Sequence, residues 1–157
     1  MINYEQLLKI VNTEDDLEEF LTHEKEFEYL YNFSAIRQNL LEWFGFDKEA
    51  MLLEIGAECG ALTGLFAEKV GKVVAFEENE TACEIIRERN KEHWNVEAVS
   101  KLPSQNNKFD YVTVIGNVTP EKLQLAKERI KEEGTLIVAA DNKLGVKYQA
   151  GTTAPFD

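Results

Sequence analysis

Residues Met51 to Asn79 read MLLEIGAECGALTGLFAEKVGKVVAFEEN, and this stretch decides the fold of the chain. It predicts a buried strand at Met51–Ile55, a glycine-rich turn, a helix over Ala61–Val70 and a second strand at Lys72–Phe76. Glu77 follows the second strand directly. The pattern is that of a βαβ unit, in which a helix joins two parallel strands.

An acidic residue at the end of the second strand is typical of βαβ units that bind a nucleoside, because its carboxylate accepts hydrogen bonds from the ribose hydroxyls. Glu77 has this position, 21 residues after Gly56. Glycines in the turn let the backbone approach a ligand closely. The stretch therefore predicts an adenosine-containing cofactor. The structural alternative is that Gly56 and Gly60 only form a tight turn, and that Glu77 belongs to a solvated acidic run with Glu78 and Glu80.

The spacing of the glycines narrows the choice of cofactor. Residues 54–60 read EIGAECG, of the form E-x-G-x-x-x-G, whereas a dinucleotide site requires G-x-G-x-x-G. Glu58 stands where the second dinucleotide glycine would be, and its carboxylate would repel a pyrophosphate. No G-K-[ST] follows the turn, which excludes a P-loop. S-adenosylmethionine has no phosphate and fits better than NAD, so a NAD-binding Rossmann domain is the less favoured alternative.

The sequence also resembles a known family. Residues 54–64 and 73–77, EIGAECGALTG and VVAFE, resemble motif I and its downstream acidic residue in class I S-adenosylmethionine-dependent methyltransferases. The segments Tyr29–Trp43, Phe109–Gly116 and Asp141–Gly151 are similar to one branch, the methyltransferase domains associated with bacterial surface-polysaccharide glycosyltransferases. The resemblance implies S-adenosylmethionine as the cofactor and a small-molecule or glycan acceptor, with a sugar hydroxyl on a polysaccharide precursor as the methyl acceptor.

The turn and the resemblance together define a predicted cofactor site at the ends of the strands. The predicted cofactor-binding residues are Glu54, Gly56, Ala57, Glu58, Cys59, Gly60, Thr63, Glu77, Glu78, Ser100, Ile115, Gly116 and Asn117. Thr63 is expected to reach the ligand carboxylate or a free helix N–H group. Asn117 is expected to contact substrate or cofactor, or to cap the next helix. The sequence identifies no catalytic residue.

Further polar residues flank this site in the sequence. Tyr31 and Arg37 precede motif I, where a helix often closes over the cofactor in the resembled class, and each has either a lid role or a structural one. Asn142, Lys143 and Tyr148 follow the last predicted strand. They are expected either to meet an acceptor or to be simple loop residues.

Three features depart from the resembled class. Glu58 stands where glycine is usual, no acid follows the third strand, where Ser100 is the nearby polar substitute, and Gly-Asn-Val-Thr-Pro follows the fourth strand. Together they predict weak cofactor binding, or a domain that has kept the fold and lost turnover. The absent acid and Glu58, with the expected absence of the C-terminal strands, favour an alternative function, a non-catalytic methyltransferase-like module of a larger glycosyltransferase protein.

Beyond residue 48, strands and helices alternate regularly. The predicted strands are Met51–Ile55, Lys72–Phe76, Asn95–Val99, Tyr111–Ile115 and Thr135–Ala140. Asn79 and Thr119 are predicted to cap helices that run to about Glu92 and Glu132, and Gly134 to end the second. Such alternation predicts an α/β fold, a Rossmann-like doubly wound parallel sheet. The resemblance implies the strand order 3-2-1-4-5.

The C-terminal part of the chain departs from the class as well. No strand-forming run follows Ala140, and the sequence ends at Asp157, so strands six and seven of the class are expected to be absent. We expect the chain to be the N-terminal portion of a longer protein rather than a natural short form. The uncovered fifth strand is an edge that favours pairing, and a homodimer through this edge is a further expectation.

The first part of the chain predicts helices. Residues 1–47 form a predicted N-terminal helical segment, followed by a truncated Rossmann-like core at 48–157, as one compact domain overall. Thr13 and Asp16 have the spacing of a capping box that would open a helix through Leu17 and Leu21. Ile36, Leu40, Leu41 and Phe44 recur at helical spacing, which predicts a helix over Ser34–Trp43 with one stripe packed on the sheet.

Composition limits the remaining possibilities. The chain has 157 residues, 44% of them hydrophobic, and a net charge of −12, which argues against a nucleic-acid substrate. No stretch approaches the roughly 20 apolar residues of a membrane span. The N-terminus lacks the layout of a signal peptide, so a cytoplasmic location is expected. The two cysteines, Cys59 and Cys83, have no partner pattern for a metal, and no metal site is predicted.

Overall fold

A computed structural model describes residues 3–140 of the chain, apart from residues 25, 103 and 105. The described strands are β1 (Met51–Ile55), β2 (Lys72–Phe76), β3 (Val96–Val99), β4 (Phe109–Gly116) and β5 (Ile130–Ala140). The helices are α1 (Tyr4–Thr13), α2 (Leu17–His23), α3 (Phe27–Phe33), a 3₁₀ helix (Ala35–Leu40), α4 (Thr63–Lys69), α5 (Glu80–Arg89) and α6 (Pro120–Arg129). The strands form one parallel sheet in the order β3-β2-β1-β4-β5. The predicted architecture and strand order are confirmed.

Alternating apolar side chains along β1 bury both faces of the sheet. Leu52 belongs to a core cluster with residues of α4, including Phe66. Leu53 points to the opposite face, where Val112 of β4 and Ala126 of α6 complete a second cluster. Crossovers between parallel strands are right-handed in nearly all proteins, so the reversal of strand order at β1 accounts for α6 lying on the face opposite α4. This reversal creates the crevice between β1 and β4 where such sheets bind ligands.

The end of α6 differs from the prediction. Gly134 does not end the helix, which stops at Arg129, and β5 begins directly at Ile130. The pairing of β4 with β5 is irregular near Gly134, and a Cβ there would lie 2.6 Å from the Ile130 side chain and 3.0 Å from the Asp110 carbonyl oxygen. Gly134 therefore permits a close approach of two strands.

The N-terminal helices also correct one prediction. Thr13 is the last residue of α1, not an N-cap, and its hydroxyl donates to the carbonyl of Lys9 at 2.9 Å. Asp16 caps α2 instead, since its carboxylate accepts the N–H groups of Glu18 and Glu19 at 2.9 and 3.1 Å. A carboxylate next to the first turn satisfies free N–H groups by itself, so no capping box is needed.

The predicted amphipathic helix over Ser34–Trp43 is a shorter 3₁₀ helix. Ile36 and Leu40 are 71% and 45% exposed, whereas Leu41 is buried and Phe44 packs on the α4 cluster. A 3₁₀ helix has 3.0 residues per turn, so positions four apart leave the common face that an α-helix would give them. The prediction of one buried stripe is wrong for Ile36 and Leu40.

Helices α1–α3 pack on α5 rather than on the sheet. Leu7, Leu21, Tyr29 and Phe33 form a core cluster with Ile85 of α5 and with the turn residue Cys59. The glycine-rich turn is therefore part of the N-terminal core.

The described sheet ends at β5, which pairs only with β4 within the described residues. Leu136 and Val138 on this strand are 39% and 46% exposed. The predicted absence of further strands concerns residues 141–157, as do Asn142, Lys143 and Tyr148, and all of these lie outside the described part of the chain. None of the described helices is long and apolar enough to span a membrane.

Candidate cofactor-binding site

The turn after β1 contains three residues with left-handed backbone conformation. Gly56, Glu58 and Gly60 have φ values of +74°, +51° and +72°. The N–H groups of Gly56 and Ala57 donate to the Phe76 carbonyl at 2.9 and 3.2 Å. The turn therefore curls over the end of β2 and brings its backbone beside the residue that follows β2.

That residue is Glu77, and its carboxylate is held in place by backbone groups. One oxygen accepts the Glu58 N–H at 3.1 Å, and the other accepts the Asn79 N–H at 3.3 Å. The Glu77 N–H donates to the Val99 carbonyl at 3.1 Å. Glu77 is half-buried, so its carboxylate is fixed at the end of β2 while remaining accessible.

A crevice of about 350 Å³ opens beside this carboxylate. Its lining includes the predicted residues Gly56, Glu77, Glu78 and Asn117, together with Ile55, Phe76, Thr119, Glu121, Lys122 and Leu125. The crevice lies at the carboxyl ends of β1, β2 and β4, where a doubly wound sheet binds ligands. Its carboxylates outnumber the single lysine, which suits a cationic ligand and repels phosphate groups.

Lys122 is a lining residue that the sequence did not suggest. Its ammonium donates to the Asn117 carbonyl at 3.0 Å. The same ammonium lies 2.6 Å from the position that a Cβ on Gly56 would occupy. Lys122 is the third residue of a helix capped by Thr119, at the same edge of the sheet as the turn. Its place in the first turn of this helix is the sequence feature that could have indicated a lining role.

Glu54 and Thr63 form a buried hydrogen-bonded pair beneath the turn. The Thr63 hydroxyl donates to the Glu54 carboxylate at 2.6 Å, and both residues are buried. Neither alternative predicted for Thr63, the ligand carboxylate or a helix N–H, describes this bond. Burial raises the pKa of Glu54 to about 7, while the bond from Thr63 and the charge of Arg37 oppose the rise.

Glu58 is paired with a cation from the N-terminal segment. Its carboxylate lies 3.5 Å from the Arg37 guanidinium. Burial raises the pKa of Glu58, and Arg37 and Lys122 oppose that rise. With Glu54, Gly56, Ala57 and Ile115, this pair lines a small cavity of about 10 Å³ that shares Ile55 and Gly56 with the crevice. Arg37 therefore contacts the predicted site, although the sequence left its role open.

Cys59 faces the N-terminal core, away from the crevice. Its side chain is buried in the cluster of α1–α3, and burial raises the pKa of its thiol to about 12. Its carbonyl accepts a hydrogen bond from Arg89, which also donates to the carbonyls of Asn32 and Phe33. Arg89 thus ties the turn to the end of α3, a long-range contact that no local pattern indicated.

The remaining predicted residues lie at the same edge of the sheet with different surroundings. Ser100 donates to the carboxylate of Glu80 and is not among the crevice-lining residues. Gly60 packs against Ile86, where a Cβ would lie 3.2 Å away. Gly116 has a φ of +90° at the end of β4, which turns the chain toward Asn117. Asn117 is exposed, and Thr119, not Asn117, caps α6.

Tyr4 of α1 also approaches the site and was not predicted to do so. Burial and, after it, the charges of Glu77, Cys59 and Glu58 raise the pKa of its hydroxyl. Tyr4 also packs on the cluster that contains Cys59. Helix α1 therefore lies against the glycine-rich turn.

A larger cavity, of about 780 Å³, lies at the opposite end of the sheet. His93, Trp94, Lys48 and Lys72 are among its lining residues. It adjoins the amino ends of β1 and β2, which are not the ligand-binding ends of a parallel sheet. Among the described residues, no group of three or more His, Cys, Asp or Glu side chains could hold a metal ion.

No protein-family model matches the chain. Ribosomal RNA small subunit methyltransferase A of Syntrophus aciditrophicus (strain SB) is 27% identical over 97 residues, 62% of this chain and 33% of that protein. The chain thus spans about a third of the length of this curated relative.

Two solved structures show the same architecture. A SAM-dependent methyltransferase from Aquifex aeolicus superposes with a TM-score of 0.56 at 19% identity, covering 80% of this chain and 72% of that one. Haemonchus contortus phosphoethanolamine N-methyltransferase 1, in complex with phosphoethanolamine and S-adenosylhomocysteine, gives 0.59 at 16% identity, covering 86% and 31%. Together with the strand order, these likenesses show that the chain has the Rossmann-like fold of class I S-adenosylmethionine-dependent methyltransferases.

Proposed function

We propose that this chain is a methyltransferase domain and that it binds S-adenosylmethionine at the crevice between β1 and β4. The observation that carries the proposal is the Glu77 carboxylate. Two backbone N–H groups fix it at the end of β2, and it lines a crevice of about 350 Å³ together with the left-handed Gly56. A carboxylate in this position accepts hydrogen bonds from both hydroxyls of a ribose.

The residues of the crevice fit the chemical groups of this cofactor. Glu77 would hold the ribose, Phe76 and Glu78 border the adjoining surface, and the backbone of Gly56 and Ala57 would pass beneath the amino-acid end. The excess of carboxylates along the crevice favours a sulfonium cation over a pyrophosphate. This balance favours S-adenosylmethionine over NAD, the less favoured alternative.

The reaction would need little beyond positioning. S-adenosylmethionine supplies an activated methyl group, and holding donor and acceptor in line accounts for most of the acceleration. The protein's contribution would be to fix the ribose through Glu77 and to exclude water at the turn. A general base is required only for an acceptor that must lose a proton.

For the acceptor, we propose a small molecule or glycan, with a sugar hydroxyl of a polysaccharide precursor as the first candidate. The support is the resemblance to methyltransferase domains associated with glycosyltransferases, carried by Tyr29–Trp43, Phe109–Gly116 and Asp141–Gly151. The net charge of −12 disfavours a nucleic acid, because phosphates are repelled. We also propose that the protein is cytoplasmic.

Calorimetric titration with S-adenosylhomocysteine tests the proposal. We expect micromolar binding by the wild type, a loss of at least tenfold in the Glu77→Ala variant, and no change in Glu84→Ala, an exposed glutamate on α5. Equal affinity of all three proteins would exclude Glu77 from the site. NAD should give no binding under the same conditions, and tight NAD binding would favour the oxidoreductase alternative.

A second candidate is a non-catalytic methyltransferase-like module of a larger glycosyltransferase protein. Two observations favour it: Ser100 is bonded to Glu80, and the cavity beside Glu58 has only about 10 Å³. Methyl transfer to any acceptor would refute this candidate.

We also propose that two copies pair through β5. The support is the open outer edge of β5 within the described residues and its exposed Leu136 and Val138. Light scattering after size-exclusion chromatography should give the mass of a dimer, and Val138→Lys should give a monomer. A monomeric wild type would refute the pairing.

A further inference from the structure

The Arg37–Glu58 ion pair crosses from the N-terminal segment to the glycine-rich turn. The Arg37 guanidinium lies 3.5 Å from the Glu58 carboxylate and is 20% exposed at its side chain. It also donates to the Tyr31 carbonyl at 3.3 Å and lies 4.2 Å from the centre of the Tyr31 ring. A guanidinium has five N–H donors in a planar fork, so these contacts leave it able to bind a second oxygen anion.

Glu58 is an unusual residue for its position. Its φ of +51° is uncommon for a residue with a side chain, and that side chain is 12% exposed. Burying a carboxylate is costly unless a cation is paired with it, and Arg37 supplies that cation. The Glu58 N–H is bonded to Glu77, so the same residue contacts both the ribose-binding carboxylate and Arg37.

The pair closes the space next to the turn. Arg37, Glu54 and Glu58 line the cavity of about 10 Å³ that adjoins the crevice at Gly56. A nucleoside whose ribose is held by Glu77 would direct its 5′ substituent along Gly56 and Ala57 into this space. With the pair closed, an amino-acid group does not fit there.

We propose that Arg37 binds the carboxylate of the cofactor's amino-acid end and that it releases Glu58 to do so. The inference rests on the proposed function. It adds Arg37 as a residue that recognises the cofactor and Glu58 as an anion that competes with the cofactor for Arg37. Glu58 acts as an internal stand-in for the ligand carboxylate, since both are anions for the same guanidinium. Cofactor binding is thereby coupled to the position of the 3₁₀ helix that contains Arg37.

Two ligands separate this role from adenosine recognition. S-adenosylhomocysteine has the amino-acid end, and 5′-methylthioadenosine lacks it but retains the same nucleoside. We expect Arg37→Met to lower the affinity for S-adenosylhomocysteine at least tenfold and that for 5′-methylthioadenosine less than twofold. Glu58→Gln should raise the affinity for S-adenosylhomocysteine several-fold and leave 5′-methylthioadenosine unchanged. The control, Arg87→Met on α5, should change neither ligand.

The Arg37→Lys variant controls for a folding defect, because it keeps a cation at this position. It should bind S-adenosylhomocysteine with an affinity between those of the wild type and Arg37→Met. Equal effects of Arg37→Met on the two ligands, or no effect on either, would overturn the inference. Binding of S-adenosylhomocysteine by the wild type would still support the proposed cofactor in that case. A wild type that binds neither ligand would overturn the proposed function and this inference with it.

Discussion

Replacing Arg89 by methionine removes the cation that joins the glycine-rich turn to the N-terminal helices. In the wild type its guanidinium donates to the Asn32 carbonyl at 2.8 Å, to the Phe33 carbonyl at 3.3 Å and to the Cys59 carbonyl. Burial lowers the pKa of Arg89 to about 10, so it remains charged at neutral pH. Methionine keeps much of the aliphatic packing and removes all three hydrogen bonds.

The expected cost follows from these contacts. A hydrogen bond from a charged donor contributes about 1.5–3 kcal/mol, and we take about 1 kcal/mol for each because Arg89 is partly exposed. Arg89→Met should therefore lower the free energy of unfolding by about 3 kcal/mol. Arg87→Met, on the same helix, is the matched control. Arg87 makes a single bond to the Ala98 carbonyl at 2.9 Å, so its loss should cost about 1 kcal/mol.

Urea unfolding followed by circular dichroism measures both values. With an m-value of about 2 kcal/mol per molar urea, the midpoint should fall by about 1.5 M for Arg89→Met and about 0.5 M for Arg87→Met. Equal shifts for the two variants would refute the reasoning that Arg89 fastens the N-terminal segment to the turn.

Three further predictions concern the turn and the core, each measured by urea unfolding. Gly60→Ala should cost about 1–2 kcal/mol, because its φ is +72° and a Cβ would lie 3.2 Å from Ile86; an unchanged midpoint would contradict this. The pKa of Glu54 is raised to about 7 by burial, so its ionisation destabilises the fold as pH rises from about 4.5 to 7. Glu54→Gln should match the wild type near pH 4.5 and exceed its stability by roughly 3 kcal/mol at pH 8; a constant difference would refute the assignment. Leu7→Ala should cost about 2–5 kcal/mol and Leu123→Ala under about 1 kcal/mol, since Leu7 is fully buried and Leu123 is 36% exposed; equal costs would argue against the docking of α1 on α5.

The sheet could be predicted because its signals are local. Each strand of the central pair, Met51–Ile55 and Lys72–Phe76, is a short apolar run next to a glycine-containing turn, and the structure has them at the predicted bounds. Asn79 and Thr119 cap their helices as expected, since a capping side chain bonds within three residues of itself. The position of Glu77 directly after β2 was likewise predictable, since it follows from the bounds of that strand.

The contacts that surround the turn could not be predicted, because they join residues distant in sequence. Arg37 meets Glu58 from an earlier segment, and Arg89 reaches back to Asn32. The apolar residues of the 3₁₀ helix repeat at a spacing of four, a pattern that predicts an α-helix instead. The Thr63 hydroxyl bonds to Glu54, a partner that depends on how α4 packs against β1. Tertiary packing decided each of these points.

A crystal structure of the complex with S-adenosylhomocysteine is the most direct test of the central claim. We expect the ligand in the crevice between β1 and β4, with both ribose hydroxyls within hydrogen-bond distance of the Glu77 carboxylate, about 2.5–3.0 Å. The ligand carboxylate should contact Arg37. A ligand bound away from Glu77, for example in the cavity beside His93 and Trp94, would contradict the account.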